Sequence, residues 1–483
     1  MVKKPGPEPT DLFPPLAGLS PGFISRLKEL CAPDRVITDP EKLIDYGHDE
    51  SPETPHLPDV LIKPLNAEEI AGIIKLAREE MVPVTPRGLG TGLAGGAVPS
   101  YGGIVISTEL MNRIIQVDTE NLMVRTQPGV ITAHLQNACQ EHHLYYPVDP
   151  ASLEECSIGG NVATNAGGAR AFKYGVTGDY VTGIQAVLAD GSIINYGGKL
   201  RKNATGYDLN HILIGSEGTL GIITETTFRL VPYPRYQIDL LIPFHSLAQG
   251  VELVLGLTRE KRLVPAVVEF IEQKGIAACC QVLNETLPIG DGAVHVLVEL
   301  EGQDQEEVLD DAIAVARLGQ ELGASEPVIA DNPASQARLW KTRRSIAKTL
   351  KQLYPQVIAE DIVVPLAFIP ETVQFLSELE KRFNVVIVPF GHIGDGNIHV
   401  DLCRTTATEK EKWEKTAVRV VDELIDFVVR VGGQITAEHG IGSLKRRLLK
   451  KGLTENEIAL MAKIKKALDP DSILNPGKIF PEM

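Results

Sequence analysis

No two of the six cysteines (Cys31, Cys139, Cys156, Cys279, Cys280 and Cys403) stand in a C-x-x-C arrangement. The chain therefore lacks the ligand spacing of a thiolate zinc site or an iron–sulfur cluster, and any such cluster would sit on a partner. Cys279 and Cys280 fall in an apolar helical stretch, which makes them core residues rather than a vicinal redox pair. No run of about 18 apolar residues occurs, and the proline-rich opening MVKKPGPEPTDLFPPLAGLS has no apolar h-region of a signal peptide. The expectation is a cytoplasmic chain without a membrane span, meeting the inner membrane only peripherally through a partner. Positive charge is scarce too. Against 47 Lys and Arg stand 63 Asp and Glu, a formal net charge of -16, with basic residues clustered only in short pieces such as Lys445-Arg446-Arg447. Nucleic acid is disfavoured as a partner.

What is present is 43% hydrophobic and 23% charged over 483 residues, the balance of a soluble protein long enough for two or three domains. Residues 1–58 are loop-like apart from a helix near Gly22–Cys31. Asn66 with Glu69 is a capping-box signature for an amphipathic helix over Ala67–Glu80, and Val82–Thr85 reads as a short strand. Strands at Gly103–Ser107 and Leu122–Thr126 and a helix near Ile131–His142 follow. Asp190-Gly191 predicts a hairpin turn within Ile184–Tyr196, because both residues tolerate positive φ. A second hairpin-like segment is expected over Gly218–Leu230, ending at Pro232. Beyond it, strands (Ala293–Glu299, Val385–Pro389) alternate with long helices (Glu306–Leu322, Lys410–Val431). The fold class is α+β, divided at 1–54, 55–235, 236–435 and 436–483.

Glycine is concentrated. PRGLGTGLAGGAVP, residues 86–99, contains G-x-G-x-x-G at Gly90, Gly92 and Gly95. A dinucleotide fingerprint of the Rossmann kind needs a helix to begin inside that loop, with its N–H groups facing the pyrophosphate. Here the loop runs on into Gly95-Gly96, Pro99 and Gly102-Gly103, so no helix starts and NAD is disfavoured. A second glycine segment, Ile158 to Gly168, precedes Tyr174-Gly175. Such stretches are ordinary turns or, where N–H groups converge, anion cradles; two in one domain suit a pyrophosphate.

Histidine is the other informative residue. Gly391-His-Ile-Gly-Asp-Gly-Asn-Ile-His399 and Thr436-Ala-Glu-His-Gly-Ile-Gly442 hold three of the eleven. On residues alone two readings stand: His392, His399 and Glu438 as ligands of a divalent ion with His439 as an adjacent base, or histidines that merely cap strands beside glycine.

The segments Arg87–Gly96, Ile158–Gly168 and Gly215-Ser-Glu-Gly-Thr-Leu-Gly-Ile222 together resemble the FAD-binding domain of the vanillyl-alcohol oxidase/p-cresol methylhydroxylase flavoproteins. That resemblance implies FAD between two α+β subdomains of a PCMH-type domain, followed by an α+β substrate (cap) domain. It assigns FAD contacts to Pro86, Arg87, Gly88, Leu89, Gly90, Thr91, Gly92, Gly95 and Gly96 in the first loop. In the second it assigns Gly159, Gly160, Ala163, Thr164, Asn165, Gly167, Gly168, Tyr174 and Gly175. Pro147, Asp149, Ser152, Glu217, Gly218, Gly221, Ile222 and Asn475 complete the set. The first loop has no histidine of the kind that tethers FAD in some members, so FAD is expected to be non-covalent.

The two histidine segments, with Leu468-Asp-Pro-Asp-Ser-Ile-Leu-Asn-Pro-Gly-Lys478, are similar to the D-2-hydroxy-acid dehydrogenase branch of that family. The branch includes glycolate oxidase flavoprotein subunits and D-lactate and D-2-hydroxyglutarate dehydrogenases. The resemblance implies that residues 436–483 return to the FAD domain. It implies zinc or a similar divalent ion on His392, His399 and Glu438, His439 as catalytic base, and Arg343 on the substrate carboxylate; for Arg343 the residues alone say only a solvated helix position. Hydroxyglutarate enzymes carry a lysine where this chain has Ala359-Glu360-Asp361-Ile362, so a small monocarboxylic substrate is expected, D-lactate before glycolate. Electrons would pass to a quinone, a cytochrome, an electron-transferring flavoprotein or an iron–sulfur subunit. The rival readings are an oxygen-using oxidase and a flavin-binding subunit whose partner does the chemistry.

Overall fold

The computed structural model describes residues 19–284 and 292–481; the proline-rich residues 1–18 lie outside them. The chain forms two compact units, one of Met1–Ala166, Val176–Tyr233 and Glu438–Met483, the other of Gly167–Gly175 and Pro234–Ala437.

In the first unit, β1 (Val36–Ile37), β2 (Val60–Ile62), β3 (Val84–Arg87) and β4 (Ile104–Ser107) form a sheet in the order β1-β2-β4-β3. Its β2, β4 and β3 are parallel. All four residues of β4 are buried, as the centre of a parallel sheet covered on both faces requires. The helix Ala67–Glu79 lies on this sheet, its start fixed by Asn66 Oδ1 accepting from the Glu69 N–H at 2.8 Å. Its Ile70, Ile73, Ile74 and Ala77 share a core with Val84, Ile104, Ile473 and Leu474. The C-terminal stretch extends β3: the Val84 N–H donates to Ile473 O at 2.8 Å and the Asn475 N–H to Val84 O at 2.7 Å.

The strands β5 (Ile114–Asp118), β6 (Met123–Thr126), β7 (Leu144–Tyr145), β8 (Val181–Val187), β9 (Ile193–Gly197), β10 (Ile222–Arg229) and β11 (Val231–Pro232) follow. They form an antiparallel sheet β5-β6-β10-β8-β9 and a β7/β11 pair. The β8–β9 hairpin turns at Asp190-Gly191, with Gly191 at φ +77°. Gly218–Leu230 is not a hairpin. It contains one unbroken strand, β10, lying between β6 and β8; its Thr-rich run has no turn residues, and Gly218 and Gly221 only precede it. The second glycine segment also differs from expectation. Ile158–Thr164 is a helix, closed by Asn165 in the left-handed region at φ +53°.

The second unit is a seven-stranded antiparallel sheet. Its strands are β12 (Tyr236–Phe244), β13 (Val267–Glu272), β14 (Val294–Gly302), β15 (Val328–Ala330), β16 (Gln356–Val363), β17 (Val386–His392) and β18 (Asn397–Arg404), in the order β15-β12-β14-β13-β17-β18-β16. On β18, Ile398, Val400 and Leu402 alternate with His399, Asp401 and Cys403, so one face is wholly apolar and the other carries charge. Helices Gln273–Leu283, Pro333–Arg344 and Ile346–Leu353 cover part of the charged face around Ile271, Leu297, Val388 and Phe390. Cys279 is buried in the first of these, as a core residue. Among the described residues no helix is long and apolar enough to cross a membrane.

Candidate active site

In the first unit, β3 delivers its last residue, Arg87, to the first glycine loop. The Arg87 side chain turns away from the loop's open side: Nη1 donates to His48 O at 2.6 Å and Nη2 to Asp45 O at 3.1 Å. Side chains are excluded from the loop by geometry. A Cβ on Gly88 would lie 2.3 Å from Ser157 Oγ, and one on Gly442 1.9 Å from Ala94 O. Gly90 and Gly95 adopt φ of +77° and +78°, which only glycine takes readily.

Glu217 is buried beneath this loop and ties three segments together. Its Oε1 accepts from the Ile441 N–H at 2.8 Å and its Oε2 from the Gly442 N–H at 2.7 Å. Asn475 Nδ2 donates to Gly96 O at 2.9 Å and to Glu217 O at 2.8 Å. Burial pushes the Glu217 carboxyl up, against the pull of the two N–H groups. Gly159 donates to Pro128 O at 2.7 Å, and Asp149 is buried nearby in sequence. Two polar atoms among these residues, Ser157 Oγ and Asn475 Oδ1, are buried without a hydrogen-bond partner. Orphaned hydroxyl and amide oxygens beside a glycine-rich loop fit a polyphosphate nucleotide, whose hydroxyl and ring N–H groups would supply the missing partners.

In the second unit, the sheet's register builds the site. Glu269 on β13 pairs with His392 on β17, and Asp361 on β16 pairs with His399 on β18. Each imidazole thus has a carboxylate as its cross-strand neighbour. His392 Nδ1 is hydrogen-bonded to Glu269 Oε1, and His399 Nδ1 lies 3.8 Å from Asp361 Oδ1. With Nδ1 turned to carboxylates, both Nε2 atoms point at one another, 3.4 Å apart. At that distance the two nitrogens need a proton or a cation between them. Tetrahedral zinc bonds imidazole at about 2.0–2.1 Å, which sets two such nitrogens about 3.3–3.4 Å apart, so the donor set fits a divalent ion. Carboxylates behind the histidine ligands are the usual outer shell of such an ion.

The two carboxylates are themselves held. Asp361 accepts from Asn397 Nδ2 at 2.7 Å, Thr436 Oγ1 at 2.8 Å and the Ala437 N–H at 2.9 Å. Arg343, in the last turn of Pro333–Arg344, directs both Nε and Nη2 at Glu269 Oε2, each at 2.5 Å, with its guanidinium 4.9 Å over the Phe390 ring. Burial would raise the Glu269 carboxyl, but Arg343 and His392 outweigh it and hold it at about 2. Farther along β18, Asp401 is buried with Oδ2 unpartnered, and burial lifts its carboxyl to about 7.

The structure therefore brings His392, His399 and Arg343 into one network. Glu438 and His439 open the stretch belonging to the first unit. Glu438 directly follows Ala437, His439 Nε2 lies 3.9 Å from Glu438 Oε1, and Glu217 fixes the backbone two residues on. Sequence reasoning missed Glu269 and Asp361. The available signal was a lone acid in the otherwise apolar strand Val-Val-Glu-Phe-Ile.

Residues 58–197 match the FAD binding domain family, and residues 233–479 match FAD linked oxidases, C-terminal domain. Glycolate oxidase subunit GlcD of Bacillus subtilis is 38% identical over 437 residues, 90% of this chain and 92% of that protein. A D-lactate dehydrogenase of Anaerostipes hadrus is 36% identical over 95% of this chain and 98% of its own; one from Archaeoglobus fulgidus is 39% identical over 87% and 91%. In fold, the chain resembles p-cresol methylhydroxylase with substrate bound, at a TM-score of 0.77, 19% identity and coverage of 96% and 98%. With the C-terminal family spanning half of the sequence and relatives above 35% identity across most of it, the chain belongs to the FAD-linked oxidases and is a flavin-dependent oxidoreductase.

Proposed function

We propose that this oxidoreductase oxidises a small D-2-hydroxy acid, D-lactate before glycolate, to the 2-oxo acid. The observation that carries the reading is the Arg343–Glu269–His392···His399–Asp361 network, which joins a guanidinium to a pair of imidazoles poised for a cation. FAD, held non-covalently since residues 86–99 contain no His, Cys or Tyr, supplies the hydride acceptor when bound. A divalent ion on His392, His399 and Glu438 would supply acidity at the substrate hydroxyl. The chain's own residues do the rest. His439 takes the proton from that hydroxyl. Glu269 occupies the Nε/Nη2 edge of Arg343, so Nη1 is left to grip the substrate carboxylate and orient Cα. Asp361 and Glu269 keep the imidazoles in the tautomer that offers Nε2.

Substrate size follows from charge. Ala359 and Asp401 pair across β16 and β18, two residues along from Asp361 and His399, and neither is a cation that would welcome a second carboxylate. Electrons then pass to a quinone or a separate acceptor protein, with the chain in the cytoplasm or peripheral to the inner membrane through that partner. The test is anaerobic bleaching of the bound flavin by D-lactate, L-lactate, glycolate, D-malate and D-2-hydroxyglutarate. D-Lactate should bleach fastest and L-lactate not at all; fastest bleaching by D-2-hydroxyglutarate overturns the substrate, and no bleaching by any overturns the activity.

A further inference from the structure

The segment Gly167–Gly175 belongs to the second unit although its neighbours on both sides belong to the first. It carries Gly167, Gly168, Tyr174 and Gly175, which the family resemblance gives to FAD. Its short helix, Ala171–Tyr174, is fixed to β14 by charge. Arg170 Nη2 lies 2.5 Å from Glu299 Oε1 and Nη1 2.8 Å from Glu301 Oε2. Lys173 Nζ lies 2.9 Å from Glu301 Oε1, to which the Tyr174 hydroxyl also donates. The Glu301 side chain is 1% exposed; burial would raise its carboxyl, and Arg170 and Lys173 outweigh that.

Phe172 takes a different partner. Its ring atoms lie 2.6 to 2.9 Å from where a Cβ on Gly394 would stand. Gly394 sits in the turn joining β17 to β18, between His392 and His399. The backbone does not itself demand glycine there: Gly396 has φ +89°, whereas Gly394 is outside the left-handed region. What a side chain there would meet first is Phe172, its ring and its own Cβ. From the other side the Gly394 N–H donates to Val268 O at 3.3 Å, and Val268 adjoins Glu269, the partner of His392.

We propose that Phe172 is a positioning residue for the metal-binding hairpin. Seated on Gly394 and anchored through Glu301, it sets how His392 and His399 face one another, and so ties the segment expected to touch the flavin to the affinity for the metal. This rests on the metal reading given under Proposed function. A ring that merely filled the core would lose stability on truncation without altering the metal centre.

The test uses the FAD-loaded full chain, with zinc affinity measured by competition against a chromophoric chelator and coordination read from the visible spectrum of the cobalt-loaded protein. Phe172→Ala and Gly394→Ala should each weaken zinc binding about tenfold or more and shift the cobalt bands. The double variant should lose less than the two single losses summed, since both act through one contact, although the retained Cβ of residue 172, 2.9 Å from the new methyl, keeps the rescue partial. Phe172→Leu should fall between, and it introduces no clash if Gly394→Ala fails to fold. Single variants that bind zinc as tightly as the parent, or losses that simply add in the double variant, overturn the inference alone. A parent protein that binds neither zinc nor cobalt overturns the metal reading and this inference together.

Discussion

The two units make ligand sites by opposite means. In the first, residues 86–103 are rich in glycine and several of those positions admit no side chain, so a ligand would meet much backbone, with Ser157 and Asn475 beside it. In the second, the site is all side chain: Glu269, His392, Asp361 and His399 stand on strands whose register sets their neighbours, and Arg343 reaches Glu269 from the end of a helix. The difference teaches where each site is fragile. A backbone nest fails when an atom is added, whereas a charge network fails when one is taken away. The same contrast holds for buried charge: Glu269 is compensated on both oxygens, while Lys478 in the first unit has the Ser100 hydroxyl at 2.8 Å and only distant acids, and its burial lowers the ammonium to about 8.

Five substitutions press on that contrast, taken by expected size. His439→Ala should slow flavin bleaching by D-lactate about 10²–10⁴-fold, the range for a lost general base, with FAD still bound; an undiminished rate in stopped flow would remove His439 from the chemistry. Glu269→Ala strands Arg343 and should cost about 3–5 kcal/mol in chemical denaturation, as when one partner of a buried pair is removed. A loss under about 1 kcal/mol would mean the network is solvated in solution.

Adding atoms to the first unit is the converse experiment. Gly442→Ala puts a methyl on the backbone oxygen of Ala94 at a φ of +50°, so purified protein should carry FAD at least about tenfold more weakly. Gly88→Ala meets only a serine hydroxyl that can rotate, and should weaken FAD a few-fold. Equal losses would show that contact distance is not what governs the loop. The smallest effect is set by pH. The folded-state pKa of Lys478 lies below its unfolded value near 10.5, so the buried ammonium burdens the fold fully below pH 8 and progressively less as pH rises from about 8 to 10.5. Lys478→Met should therefore raise Tm most at pH 7, with the gain shrinking toward pH 10. A gain constant across that range would show that Lys478 is not burdened.

Local signals were legible in the sequence. Asn66 with Glu69 marked a helix, and Asp190-Gly191 marked a hairpin. Signals that depend on distant partners were not. The segment Ile158 to Gly168 read as a turn or an anion cradle, yet Ile158–Thr164 closes as a helix capped by Asn165. Gly159 is kept small for another reason: a Cβ there would lie 2.5 Å from Pro128 Cβ. Glu269 sits 74 residues before Arg343 and 123 before His392, so nothing short of the sheet register announces that the three meet. Arg343 was assigned only through resemblance. Its grip on Glu269 could not be read from the helix it occupies.

The pairing of Val84 with Ile473 and Asn475 has a bearing on how the polypeptide is made. A ribosome delivers Pro234–Ala437 in full before the residues that complete β3 leave the exit tunnel. Throughout that interval the strand feeding the glycine loop has an unsatisfied edge, and Ile473 and Leu474 are missing from its core. A message ending shortly before codon 473 would thus leave β3 with an open edge and its core short of two residues.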